Sequence, residues 1–133
     1  EAFTASDRPG RWTSGRLPVI YAARSAAAAM LEHRAHLEST PINDLKLIEA
    51  RFPVDSLHVI EVGEDLPWRE RPYRPEVQAL GDAWLAAGNT LLAQVPSALC
   101  PCEHNLLINP RHPLFARASC LPAHHFRMDQ RLA

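Results

Sequence analysis

Hydrophobic positions along the chain recur with two different periods, and the changes from one to the other mark its elements. Pro18-Val19-Ile20-Tyr21-Ala22-Ala23 is a compact β-prone run that predicts a buried strand. Ser25 follows as a candidate N-cap, and from Ala26 to Glu38 the apolar positions Ala27, Met30, Leu31 and Ala35 repeat at helical spacing. At about 100° per residue, Glu32 falls on the shoulder of that stripe, beside Leu31. A carboxylate there can face a cleft while its neighbours face the core. Leu45 to Phe52 fits both periods: Leu45, Ile48 and Phe52 suit a helix, whereas Leu45, Leu47 and Glu49 half suit a strand. Leu57-His58-Val59-Ile60-Glu61-Val62 reads as a clearer strand.

Further on, Pro67 to Pro75 is a loop rich in Pro and Arg. Val77, Leu80, Gly81, Trp84 and Leu85 then fall at i, i+3, i+4, i+7 and i+8, with Pro75 near the start and Gly88 at the stop, which predicts a helix. Thr90 to Val95 reads as a strand ended by Pro96, Asn105 to Asn109 as another closed by Pro110, and His125 to Met128 as a short last one. Glu1 to Leu17 is polar and turn-rich. The sequence has no internal repeat, low-complexity tract or dividing linker. Strands separated by two helices, with short direct connections elsewhere, predict a single α/β or α+β domain built on a mixed sheet.

Composition narrows the function more than the fold. A chain of 133 residues is large enough for one continuous core, and a hydrophobic fraction of 47% excludes general disorder. The formal net charge of −1 argues against a protein that grips nucleic-acid backbones, although a local basic cluster can still hold a small anion. The longest apolar stretch, Ser25 to Leu31, is too short to span a bilayer, and the first residues do not resemble a secretory signal. Neither a membrane nor direct nucleic-acid binding is expected. Cys100, Cys102 and Cys120 are odd in number and form no disulfide framework, which fits a reducing, cytoplasmic setting.

Most familiar chemistry is absent. Cys100-Pro101-Cys102-Glu103-His104 misses the paired spacing of a zinc site, so no metal is expected. Ser97 sits in Val95-Pro96-Ser97-Ala98 and not in a nucleophile elbow, and no Gly-x-Gly-x-x-Gly or P-loop occurs. What remains is Arg11 in a Gly-rich loop, Tyr21 in the first strand and Glu32 in the first helix. Singly these read as a loop arginine, a strand aromatic and a solvated glutamate. The order loop, strand, helix can nevertheless bring them to one sheet edge. There they would supply a phosphate fork, a stacking surface and an anion for a developing cation.

Gly10-Arg11-Trp12, Pro18-Val19-Ile20-Tyr21-Ala22-Ala23 and Met30-Leu31-Glu32 together resemble the opening of the RES domain, a family named for its Arg, Glu and Ser. The resemblance continues through Leu80-Gly81-Asp82-Ala83-Trp84-Leu85, Val95-Pro96-Ser97-Ala98, Leu107-Ile108-Asn109-Pro110-Arg111-His112-Pro113 and Phe126-Arg127-Met128-Asp129. Two departures stand out: Thr13 occupies a position where the family usually has Asn, and the usual leading β-segment is missing or truncated. The resemblance implies a single RES domain over residues 1–133, with a fold similar to ADP-ribosyltransferases and strand structure over Leu45 to Phe52. It also implies a toxin of a bacterial toxin–antitoxin pair that consumes NAD⁺, by phosphorolysis, by hydrolysis or by transfer of ADP-ribose to a protein. The partner would be an Xre-like antitoxin with a DNA-binding part. Glu32, Arg11 and Ser97 would be catalytic, and Arg11, Tyr21, Ser97, Asn109 and His112 would bind the substrate. The alternative is a non-catalytic RES scaffold that binds NAD⁺ or a partner.

Overall fold

The computed structural model describes residues 5–36, 45–53 and 55–132. Its elements run β1 (Ile20–Ala23), α1 (Ala26–His36), β2 (Leu45–Leu47), β3 (Ala50–Arg51), β4 (Leu57–Val59), α2 (Pro75–Ala87), β5 (Leu92–Pro96), β6 (His104–Ile108), β7 (Ser119–Cys120) and β8 (His124–Phe126). Short 3-10 turns lie at Pro113–Arg117 and Gln130–Leu132. The central sheet has the order β1-β6-β5-β4, with β4 parallel to β5 and the other pairs antiparallel. It is the mixed sheet of an α+β domain. Leu45 to Phe52 resolves into β2 and β3, which pair separately with β8 and β7.

Alternation along the strands gives the sheet two apolar faces. Val19, Ala93, Val95 and Leu107 pack with Val77, Trp84 and Leu85 of α2, joined by Trp12, Ile60 and Trp68. Ile20, Leu92 and Ile108 point the other way, with Leu91, Phe52, Leu114 and Phe115. Helix α2 begins on Pro75 at its first turn and ends on Gly88, whose φ of 64° lets the last turn close with a bond from its N–H to the Trp84 carbonyl.

Several predicted boundaries shift for physical reasons. The strand expected over Leu57 to Val62 stops at Val59, after which only the Ile60 N–H reaches the Gln94 carbonyl. Strand β5 includes Pro96 instead of ending before it. Leu92 and Gln94 bond towards β4, so Pro96 turns its nitrogen to the same side, where β4 has already ended and no ladder bond is lost. The last strands are His104–Ile108 and His124–Phe126, each displaced towards the N-terminus from the expected span.

Helix α1 departs furthest. Ser25 caps it as expected, its Oγ accepting the Ala28 N–H at 3.1 Å, and residues 37–38 of the predicted span lie outside the described residues. No residue of α1 is buried, and Leu31 is 45% exposed. The part-buried residues are Ala28, Ala29, Met30, Glu32 and Arg34, so Glu32 is more enclosed than Leu31, which the stripe would have buried. Alanines offer little area to bury, and polar contacts set the orientation of the helix instead. Among the described residues no helix is long and apolar enough to cross a membrane.

The loop before β1 lies directly on α2. Gln78 Nε2 donates to the Gly10 carbonyl at 2.8 Å, and Asp82 Oδ1 accepts the Ser14 N–H at 2.9 Å. Between them Gly81 meets the loop backbone so closely that a Cβ there would sit 1.9 Å from the Trp12 carbonyl oxygen and 2.9 Å from Thr13 Cγ2. Gly81→Ala should therefore cost about 3 kcal/mol or more, although alanine favours a helix interior by about 1 kcal/mol. Urea denaturation of the two proteins checks this, and equal or greater stability in the variant would contradict so close an approach.

Candidate functional site

Arg11 extends from the loop pinned on α2 towards the Pro- and Arg-rich segment. Its Nη1 donates to the Trp68 carbonyl at 2.5 Å and to the Glu70 carbonyl at 3.2 Å. The guanidinium also lies over the Tyr73 ring, 5.1 Å from its centroid. Neighbouring stacks hold this segment in place: Trp12 on Trp68 at 5.7 Å, Arg69 over Trp68 at 4.2 Å and Arg71 over Tyr73 at 5.5 Å. Burial pulls the Arg11 pKa below its ordinary value. The Arg71 charge adds to that pull, while Tyr73 and the Glu32 carboxylate oppose it. No ion pair joins Arg11 and Glu32 among the described residues.

Glu32 reaches from α1 to the end of the central sheet where β5 stops and β6 starts. Its Oε1 accepts two hydrogen bonds, from Asn105 Nδ2 at 2.8 Å and from Ser97 Oγ at 3.3 Å. Ser97 follows directly on Pro96 of β5 and is 7% exposed. Its hydroxyl oxygen also accepts the N–H groups of Leu99 and Cys100, both at 3.2 Å, so it shapes its own turn while holding Glu32. The turn closes with the Ser97 N–H on the Glu103 carbonyl at 3.0 Å. Cys102 within it has a φ of 69°, a left-handed conformation that side chains seldom adopt.

Tyr21 occupies β1, 40% exposed as a residue, with its hydroxyl turned inwards. The hydroxyl shares a 2.5 Å hydrogen bond with Thr13 Oγ1 and lies under Gly10, where a Cβ would come within 2.5 Å of it. Thr13 is fully buried, so the departure from the usual Asn still supplies a polar group that orients the tyrosine. Burial raises the Tyr21 pKa above its ordinary value, against the hydrogen bonds that Thr13 and the Trp12 backbone make to it.

Arg11 and Tyr21 are thus linked through the loop of Gly10 to Thr13, and Glu32 is linked to Ser97 by a hydrogen bond. Asn109 and His112 lie away from Glu32, although Asn109 stands only two residues from Leu107, the strand partner of Tyr21. They follow the far end of β6 from Asn105, a separation of about 13 Å for four strand residues. Asn109 is 4% exposed and its Oδ1 accepts the Arg111 N–H at 3.0 Å, while His112 Nδ1 accepts the Leu114 N–H at 3.1 Å and caps the following 3-10 turn. Both side chains hold local backbone. A cleft of about 530 Å³ bordered by Val62, Leu66, Trp68, Arg69 and Glu70 lies beyond the carbonyls that anchor Arg11.

Sequence reading missed Asn105 and Tyr73. Asn105 carried no signal, since it read only as the first residue of a strand. Tyr73 lay between Arg71 and Arg74 in a segment read as loop, and its proximity to two guanidiniums was a signal of cation–π packing.

The Tyr21 environment has a consequence at alkaline pH. The folded state holds the phenol proton more tightly than the unfolded chain, so the contribution is complete below the ordinary value of about 10 and is lost as pH rises towards the folded value. Urea midpoints of the protein and of Tyr21→Phe, compared at about pH 8 and about pH 10.5, should show the larger alkaline loss in the unsubstituted protein. Equal losses would mean that the phenol ionises as freely folded as unfolded.

The family model described as RES domain matches residues 1–129. A protein of Yersinia enterocolitica named Toxin Res is 33% identical over 134 residues, spanning 98% of this chain and 88% of the relative. A Toxin Res of Pseudomonas putida is 35% identical, spanning 92% of this chain and 85% of its own length. A protein of Sphingobium sp. named Prs ADP-ribosylating toxin is 39% identical over 110 residues, or 78% of this chain and 68% of the relative. With its sheet, its two helices and a match over nearly all of its length, the chain belongs to the RES domain family.

Proposed function

We propose that the protein is the toxin of a toxin–antitoxin pair, and that it binds NAD⁺ and cleaves its nicotinamide–ribose bond. The observation that carries this reading is a carboxylate and a guanidinium that are each held by neutral groups and form no ion pair with each other among the described residues. The name of the Sphingobium relative, an ADP-ribosylating toxin, supports the same substrate. So do the names of the two Res toxins for the toxin role.

Breaking the bond builds positive charge on the ribose in an oxocarbenium-like state. The Glu32 carboxylate, fixed before the reaction starts, stabilises that charge without reorganising. Nicotinamide leaves a cationic ring as a neutral molecule and has little need of a general acid. Arg11, with Nη1 committed to carbonyls, offers the rest of its planar fork to the diphosphate or to a ribose-side oxygen. The part-exposed Tyr21 packs on the nicotinamide, and Ser97 holds Glu32 at the site. Phosphate, water or a protein side chain can then take the ribose carbon, and the exposed segment from Arg69 to Arg74 is suited to meet a protein acceptor. The single domain acts in the cytoplasm and is restrained by an Xre-like antitoxin with a DNA-binding part.

The purified chain, incubated with NAD⁺ with and without inorganic phosphate, should release nicotinamide. Glu32→Ala should lower the rate by about 10²- to 10³-fold, the usual cost of removing one electrostatic stabiliser. Release that needs phosphate identifies phosphorolysis, release without it hydrolysis, and release only with an added protein acceptor identifies ADP-ribose transfer. No release under any of these conditions would favour a non-catalytic scaffold.

A further inference from the structure

We infer that Asn105 is a positioning residue that fixes the Glu32 carboxylate by one oxygen and leaves the other for the substrate. The inference rests on the proposed cleavage of NAD⁺ and adds to it a residue and an orientation. Both hydrogen bonds to Glu32 end on Oε1, and Oε2 accepts none among the described residues. A carboxylate only accepts hydrogen bonds, so Asn105 must present its NH₂ to it. Its bond, at 2.8 Å, is shorter than that of Ser97 at 3.3 Å, and the Ser97 oxygen is already shared with two backbone N–H groups. The amide is therefore the stronger guide.

Asn105 is also well placed to be rigid. It lies in β6 between two strands, opposite Ala23 on one side and Val95 on the other. Helix α1, which carries Glu32, has no fully buried side chain and holds the carboxylate only loosely by packing. The position of the charge is thus set from the sheet and not from its own helix. The arrangement has a cost that stability alone would not select. Asn105 Oδ1 is buried and has no hydrogen-bond partner among the described residues, an unsatisfied acceptor near the start of β6. An apolar side chain of the same size would remove that penalty at the cost of the bond to Glu32, two opposing effects on stability.

This separates a positioning role from a structural one. Asn105→Leu, in which the removed penalty offsets the lost bond, should leave the urea midpoint little changed and change KM for NAD⁺ by no more than about threefold. Its kcat for nicotinamide release should fall by about 30-fold or more, because a misplaced charge is felt at the transition state. Asn105→Asp, equal in size but lacking the donor, should lose at least as much and serves if the leucine variant does not fold. A kcat within about threefold of the unsubstituted protein in either folded variant would overturn the inference, as would a loss of kcat that follows a loss of stability in both. The Asn105 side-chain amide resonances give a readout apart from activity. They should shift strongly in Glu32→Ala. If the unsubstituted chain releases no nicotinamide and the resonances still shift, the NAD⁺ reading fails while the hold of Asn105 on Glu32 stands. Resonances that do not move overturn that hold.

Discussion

The approach of the Trp12 carbonyl to the bare backbone of Gly81 sets the position of the loop that carries Arg11, Trp12 and Thr13. A helix normally presents side chains to its neighbours, which would hold the loop several ångströms further out. Here the missing Cβ lets residues 10–14 lie flat against α2, and bonds from Gln78 and to Asp82 fix the loop on either side of the contact. That depth places Trp12 in the core against Trp68 and brings Arg11 to the Trp68 and Glu70 carbonyls. It also buries Thr13 where its hydroxyl can reach Tyr21. A glycine that read only as one apolar position of a helix thus determines the reach of three residues outside it.

The elements of high hydrophobic content were legible in the sequence, because burial on α2 and on β5 and β6 leaves a period in the residues themselves. Pro75 and Gly88 marked the ends of α2 through backbone chemistry that needs no tertiary partner. Helix α1 was legible as a helix but not in its orientation. Its alanines are nearly equivalent by area, so the inner face is chosen by the bonds of Glu32 to Ser97 and Asn105, two residues more than sixty positions away. Strand β5 ran through Pro96 for the same kind of reason, since only the absence of a neighbour beyond Val59 made a proline harmless there.

Within the site, motif and geometry carry different information. Arg11, Tyr21, Glu32 and Ser97 stood out because the family resemblance picked them, and the loop–strand–helix order made their convergence physically reasonable. Asn109 and His112 came from the same resemblance but lie past the other end of β6, where their side chains satisfy backbone N–H groups. Asn105 was invisible because nothing in its neighbourhood along the chain distinguishes it. Its importance exists only in the pairing that sets it beside Ser97 and under Glu32.

The way the two charges are held is as important as their identity. A direct ion pair between Arg11 and Glu32 would satisfy both groups and leave little field for a ligand to use. Instead carbonyl oxygens and an aromatic face hold the guanidinium, while an amide and a hydroxyl hold the carboxylate. Neutral partners fix the geometry without cancelling the charge. A ligand that is anionic at one end and becomes cationic at the other finds both groups oriented and incompletely paired, and its binding supplies what the folded protein withholds from each. A dinucleotide whose diphosphate is already negative, and whose ribose becomes positive only as its bond breaks, makes fuller use of such a pair than a ligand of one fixed sign.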